Sequence, residues 1–178
     1  METLTKWVLD PMHSEVQFKI KHLVISTVSG FFKSFEGQLE TKNDDFTDAE
    51  IAFSLDINSI DTNQSQRNEH LKSADFFDAE KYPKISFKST SFTKNNDDEY
   101  ALVGKLTIKD VTQSVTLAVE FGGKNVDSRG NTKAGFEITG KINRKDYGLV
   151  YDVVTEAGAI VLGGDVKISI NVQFVKQA

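Results

Sequence analysis

Six stretches of this chain place apolar side chains on every second residue, and this alternation restricts the fold more than any other feature. In EVQFKIKHL, Val16, Phe18, Ile20 and His22 share one parity, while Gln17, Lys19 and Lys21 take the other. The apolar parity continues in Ile51, Phe53, Leu55 and Ile57, in Tyr100, Leu102, Leu106 and Ile108, and in Val115, Leu117, Val119 and Phe121. It returns in Ala134, Phe136, Ile138 and Ile142, and again in Val166, Ile168, Ile170, Val172 and Phe174. A period of two is that of a strand with one wet face. Shorter candidates in GFFKSFEGQLE and KISFKSTSF bring the expected number to about eight strands, joined by the turn-like KNDD, KNNDD, KDVT and DSRGN.

An antiparallel sheet of this size with one apolar face must pack on a second sheet or curl onto itself, and closure also removes exposed edges. A closed barrel is therefore expected, with a sandwich as the alternative. At 178 residues, the chain suffices for one core but is short for two, so residues 1–178 read as a single domain. Only NQSQRNEHLKSA reads as a helix, with Asp61 or Thr62 as N-cap and Pro83 barring a long continuation. Helical spacing puts Arg67, His70, Leu71 and Ala74 on one face.

Composition narrows the function. A net charge of −5 with no local Lys/Arg cluster opposes binding to nucleic acid. The absence of cysteine removes disulfides, thiolate metal sites and thiol nucleophiles. The histidines His13, His22 and His70 have no HxH or HxxxH spacing, so no metal is expected. Asp10, His13 and Ser14 are close in sequence, but closeness in sequence does not supply triad geometry. The beginning METLTKWVLDPMHSEV lacks the pattern of a signal peptide, and no apolar run approaches the length of a membrane helix, which points to a cytoplasmic protein. If a native N-terminus had been removed, the same reading would allow the periplasm.

An eight-stranded barrel is either filled by its side chains or just wide enough for one slender ligand. Phe18, Phe53, Phe87 and Phe136, among the 13 phenylalanines, take the inward parity. From parity alone, rings that simply fill the interior are the simpler expectation.

Several ordered blocks add a family resemblance. WVLDPMHSEVQFKIKHLVISTVSGFFKSFEG contains Asp10, His13, Ser14, Phe18, His22, Gly30, Phe35 and Gly37. RNEHLKSADFFDAEKYPKISFKS contains Arg67, His70, Leu71, Ser73, Phe76, Phe77, Pro83 and Phe87. GKLTIKDVTQSVTL and INRKDYGL contribute Gly104, Leu106, Thr107, Arg144 and Gly148. Together they resemble the YceI-like family of polyisoprenoid-binding, lipocalin-like proteins. Lys109-Asp110 replaces the family's frequent His-Gly or Lys-Gly turn, and Tyr147 stands where Phe is common and could add a hydroxyl to a cavity.

The resemblance implies an all-β, extended antiparallel lipocalin-like barrel of about eight strands with one short helix between strands. It implies a cavity for a long apolar chain such as a polyisoprenoid, an isoprenoid quinone or a fatty-acid derivative, and a homodimer. Tail contacts are expected from Phe18, Ile20, Phe35, Phe53, Leu71, Phe76, Phe77, Phe87, Phe136 and Tyr147. Head-group contacts are expected from His13, His22, Arg67, His70 and Arg144. The expected role is a non-catalytic carrier or store with no cofactor beyond the lipid itself; the alternative is a lipid-modifying enzyme using His and Arg at the barrel mouth. Ten buried methylenes offer roughly 8 kcal/mol before ordering costs, whereas an exposed ion pair at the mouth adds only about 0–1 kcal/mol.

Overall fold

Interrupted alternation organises the barrel. The structure, a computed structural model, describes residues 4–22, 26–42, 45–151 and 162–177; of His22 only the backbone is described. Strands β1 (Thr5–Leu9) and β2 (Glu15–His22) are two halves of one path, separated by a short 3-10 turn at Pro11–His13. Trp7 and Leu9 point inward from β1, and Val16 and Ile20 from β2. The turn therefore exchanges odd for even parity while keeping the apolar face inside. Strands β3 (Ser26–Phe32) and β4 (Phe35–Thr41) form a second broken path, with buried Phe32 on one side of the break and Leu39 on the other. Strands β5 (Glu50–Asp56) and β6 (Ile60–Asp61) form a third, joined through Ile57–Ser59.

The remaining strands are long and continuous: β7 (Lys84–Lys94), β8 (Glu99–Ile108), β9 (Val111–Val126), β10 (Thr132–Asn143) and β11 (Leu162–Lys176). All neighbours are antiparallel. β11 pairs with β10 on one side, and on the other with β2 along its first part and β1 along its last. The ring β1-β4-β5-β7-β8-β9-β10-β11 closes through the β1–β11 pairing, giving eight strands, with β2, β3 and β6 extending the wall at the other end. The closed antiparallel barrel expected from alternation is what forms, and the sandwich is not.

Turn chemistry follows the sequence. Lys109-Asp110 closes the β8–β9 hairpin directly beneath the Ile108–Val111 pair, with Lys109 at φ 58°. Asp127 accepts hydrogen bonds from the backbone N–H groups of Arg129 and Asn131 at the β9–β10 turn. KNNDD closes β7–β8 through the Asn95 N–H on the Glu99 carbonyl, 2.8 Å. Within KNDD, residues 43 and 44 lie outside the described residues.

One end of the barrel is packed solid. Phe46 reaches in from the loop before β5, 1% exposed, and meets Trp7, Phe121 and Phe136 at centroid separations of 5.1–5.5 Å. Tyr100 stacks on Phe92 at 4.6 Å and donates its hydroxyl to the Asp45 carbonyl, which ties that loop across the end.

Helix α1 (Ser65–Lys72) crosses the opposite end. It starts later than expected, and Gln64, not Asp61 or Thr62, occupies the N-cap without a side-chain bond. Asp61 and Thr62 lie too far upstream of Ser65 to cap it. Asp61 instead accepts the Asn63 N–H at 2.9 Å, and Thr62 donates both its N–H and its hydroxyl to Asn68 Oδ1. Ala74 falls beyond the helix and is exposed.

Candidate functional site

Between the packed end and α1 lies a cavity of about 560 Å³. Its floor includes Leu39, Phe92, Leu102 and Phe174, and its walls are the inward residues of nearly every strand, from Phe18 and Ile20 to Ile168 and Ile170. The expectation that rings fill the whole interior is thus corrected: they fill only one end. The cavity's polar residues are few, and most gather at α1: Thr62, Gln64, Gln66, Arg67 and His70, with Gln17 and Arg144 besides. Sequence reasoning missed Thr62 and the two glutamines as cavity residues: only Gln64, three residues before Arg67, falls at helical spacing from it, while Thr62 precedes the helix and Gln66 is off that face.

A phenylalanine-rich wall stays open because glycines sit beneath the rings. Phe18 is the cross-strand partner of Gly30, and a Cβ on Gly30 would lie 2.2 Å from the Phe18 ring tip. A Cβ on Gly104 would meet the Phe87 ring at 2.4 Å, and one on Gly140 would meet Leu117 at 2.2 Å. Phe53 pairs with Gly37, with 3.2 Å of clearance. Each ring lies along the sheet over a neighbour without a side chain and so does not project across the lumen.

Of the expected tail residues, Phe18, Ile20, Phe53, Leu71, Phe76, Phe77, Phe87 and Phe136 line the cavity. Phe35 and Tyr147 do not. Phe35 stacks beside Phe53 at 6.1 Å, and Tyr147 is 2% exposed within the apolar cluster of Val16, Leu55 and Ile85. Burial pushes the Tyr147 phenol above its ordinary pKa, and its hydroxyl has no hydrogen-bond partner among the described residues. It therefore adds no hydroxyl to the cavity.

The expected head-group residues separate in the same way. Arg67 and His70 line the cavity from α1. His70 holds Asp75 through Nε2 at 2.8 Å, and its ring packs edge-on against Phe76 and Tyr151 at 5.1 and 5.2 Å. Arg144 borders the cavity but is committed elsewhere: Nε donates to the Gly163 carbonyl, Nη1 to those of Leu149 and Tyr151, and Nη2 to that of Leu162, at 2.6–3.3 Å. At least four of its five N–H donors hold backbone, so it braces this end of the barrel. The His22 side chain lies outside the described residues.

His13 stands apart from the cavity, exposed on the 3-10 turn, with Nδ1 2.8 Å from Asp10 Oδ2. That hydrogen bond, with support from the Met12 N–H and Lys133, holds the Asp10 carboxyl below its ordinary pKa. Ser14 donates its hydroxyl to the Asp10 carbonyl at 2.7 Å and accepts the Gln173 N–H at 3.0 Å. The three residues form a knot between β1, β2 and β11, with the serine directed away from the imidazole's role as a base. Among the described residues no cluster of metal-ligating side chains occurs, and no helix is long and apolar enough to cross a membrane.

A hollow antiparallel barrel with an apolar lumen and polar residues at one mouth defines a lipocalin-like class of architecture. Residues 7–174 match the family model of the YceI-like domain, and the chain belongs to that family. A UPF0312 protein of Staphylococcus epidermidis is 38% identical over 172 residues, covering 96% of this chain and 98% of the relative. A UPF0312 protein of Staphylococcus aureus is 37% identical over the same length, again covering 96% and 98%. Among solved structures, a Campylobacter jejuni YceI protein superposes with a TM-score of 0.75 at 29% identity, covering 89% of this chain and 90% of that one. Burkholderia cenocepacia BcnA, at 23% identity and TM-score 0.79, covers 93% and 98% and shares the fold. So does a polyisoprenoid-binding domain from Saccharophagus degradans, at 16% identity and TM-score 0.70, covering 96% and 98%.

Proposed function

We propose that this protein binds one long-chain amphipathic lipid inside the barrel, as a carrier or store, without transforming it. The observation that carries this reading is the cavity itself: about 560 Å³, apolar along its walls, with most of its polar residues gathered at α1. The tail lies against Phe18, Phe53, Phe87 and Phe136, under Leu71, Phe76 and Phe77, and the head group meets Arg67 and His70. The polyisoprenoid-binding domain of Saccharophagus degradans, which shares the fold, supports a chain-like ligand. The cavity also bounds that chain's length. A methylene takes about the volume of a water molecule, ~30 Å³, so a cavity of about 560 Å³ holds roughly 15–20 carbons. A longer polyprenyl or quinone tail must leave part of itself outside. The homodimer that the family resemblance implies belongs to the same proposal and is checked by sedimentation.

Gentle purification followed by native mass spectrometry is expected to show one bound lipid per chain. The Phe87→Asp variant loses it, because a carboxylate on the lumen wall desolvates without a partner, while Lys19→Gln on the exposed parity keeps it. If no lipid copurifies and no added acyl or polyprenyl chain binds, the proposal fails. Recovery of a chemically altered lipid after incubation would instead establish the enzyme alternative.

A further inference from the structure

Resting on the lipid reading above, we infer that the barrel selects chains ending in an anion, a carboxylate or a phosphate monoester, and that Arg67 makes the selection. The guanidinium is oriented but only partly used. Nε donates to Thr62 Oγ1 at 2.8 Å, and Nη2 donates to the Thr62 carbonyl. Thr62 is 3% exposed and fixed in turn, donating its hydroxyl to Asn68 Oδ1 at 2.6 Å. Two of the five N–H donors are spent on this anchor, and the other three have no protein acceptor among the described residues.

The charge around the cavity is one-sided. The chain has 26 aspartates and glutamates and a net charge of −5, yet among the described residues no acid lines the cavity. The acids nearest Arg67 in sequence are occupied elsewhere: Asp61 with Lys33 at 2.8 Å, Glu69 with Lys72 at 3.3 Å, and Asp75 with His70 at 2.8 Å. The other lining arginine, Arg144, places at least four of its five donors on backbone carbonyls. Arg67 is therefore a half-buried cation with open donors at the polar end of an apolar space. A planar fork of donors matches a carboxylate or phosphate, and bonds between charged partners are about twice as strong as neutral ones. A neutral alcohol or amide in the same place leaves the guanidinium without a counter-charge while covering it from water.

The test compares matched probes that differ only in the head: hexadecanoic acid against hexadecan-1-ol, and geranylgeranyl monophosphate against geranylgeraniol. Dissociation constants are measured by calorimetry for the wild-type chain, Arg67→Lys and Arg67→Met, with circular dichroism confirming the fold. The expected result is an acid preference of about 10-fold or more in at least one pair, reduced in Arg67→Lys and lost in Arg67→Met. Preference in the first pair alone identifies a carboxylate, and preference in the second alone a phosphate. Equal binding within both wild-type pairs overturns the inference, and this comparison stands even where a variant fails to fold. A preference that survives in folded Arg67→Met overturns it as well. If none of the four probes binds, the lipid reading itself falls, an outcome distinct from binding without preference.

Discussion

At the end of the barrel where β1 meets β4, inward rings fill the space; at the end where β2 meets β3, rings on the same inward parity surround an empty one. Trp7, Phe46 and Tyr100 pack below the cavity and Phe136 closes it from that side, at 1–5% exposure. Phe18, Phe53, Ile138 and Ile168 are only partly buried although they point inward. Two differences separate the ends. A loop inserts Phe46 into one of them, and glycines beneath the rings clear the other. Parity decides which side chains point inward, but the residues opposite them decide whether the interior is full.

This comparison gives its largest expected effect at the packed end. Phe46→Ala removes a ring enclosed on all sides and is expected to cost about 3–5 kcal/mol. Phe18→Ala removes a ring with one face on the cavity and is expected to cost about 1–2 kcal/mol, because fewer contacts are lost. Urea denaturation of both variants checks the difference, and equal costs would break the distinction between the ends.

Next in size is Arg144→Met. At the open end an apolar cluster that includes Ile57, Ile60 and Tyr147 packs the wall, and beside it Arg144 joins the Leu149 and Tyr151 carbonyls to the start of β11. Removing it leaves buried carbonyls without donors and is expected to cost about 3 kcal/mol. A variant of unchanged stability that has lost lipid binding would return Arg144 to the head-group role from which its geometry removes it.

Much of this contrast is absent from a one-dimensional reading, for identifiable reasons. The alternation in β2, β5 and β8 to β11 is legible because one face is wet and the other dry. The swap from Trp7 and Leu9 to Val16 and Ile20 depends on the length of the Pro11–His13 turn, which periodicity does not report. Phe46 is a lone ring in a polar loop with φ 66°, and nothing local says that it turns inward. Helical spacing put Arg67 and His70 on one face with Leu71, and all three border the cavity; the head-group role expected of them rests on the family resemblance. Arg144 was not, since its partners are backbone carbonyls distributed over residues 149–163. Gly30, Gly37 and Gly104 are visible as motif residues, but their purpose appears only once cross-strand partners are known.

The glycines give a smaller test of the same contrast. A methyl group at Gly30 displaces the Phe18 ring, which already lines the lumen and has open space on that side. Gly30→Ala is expected to cost about 1–3 kcal/mol and to shorten the longest chain that binds. Gly135→Ala, whose added carbon meets nothing within 4 Å, is expected to stay within about 0.5 kcal/mol. If both variants bind long chains as the wild type does, the glycines do not set the bore.

The smallest expected effect lies at the junction of the two halves, where the Asp10 knot binds the kink between β1 and β2 to β11. Its carboxyl is held below its ordinary value by the hydrogen bond to His13, helped by the Met12 N–H and Lys133. A depressed carboxyl pKa means that the folded state favours the ionised form. The resulting stability is fully present above the unfolded pKa of about 3.9 and is lost as pH falls through the lower folded value. Asp10→Asn keeps an acceptor for the Met12 N–H but loses the charge, with an expected cost of about 0.5–1 kcal/mol near neutral pH. In paired denaturation curves the gap between wild type and variant narrows below about pH 3.9, because the protonated acid and the amide are then nearly equivalent. A gap that persists unchanged to lower pH would mean that packing around the kink, and not the Asp10 charge, joins the filled half of the barrel to the hollow one.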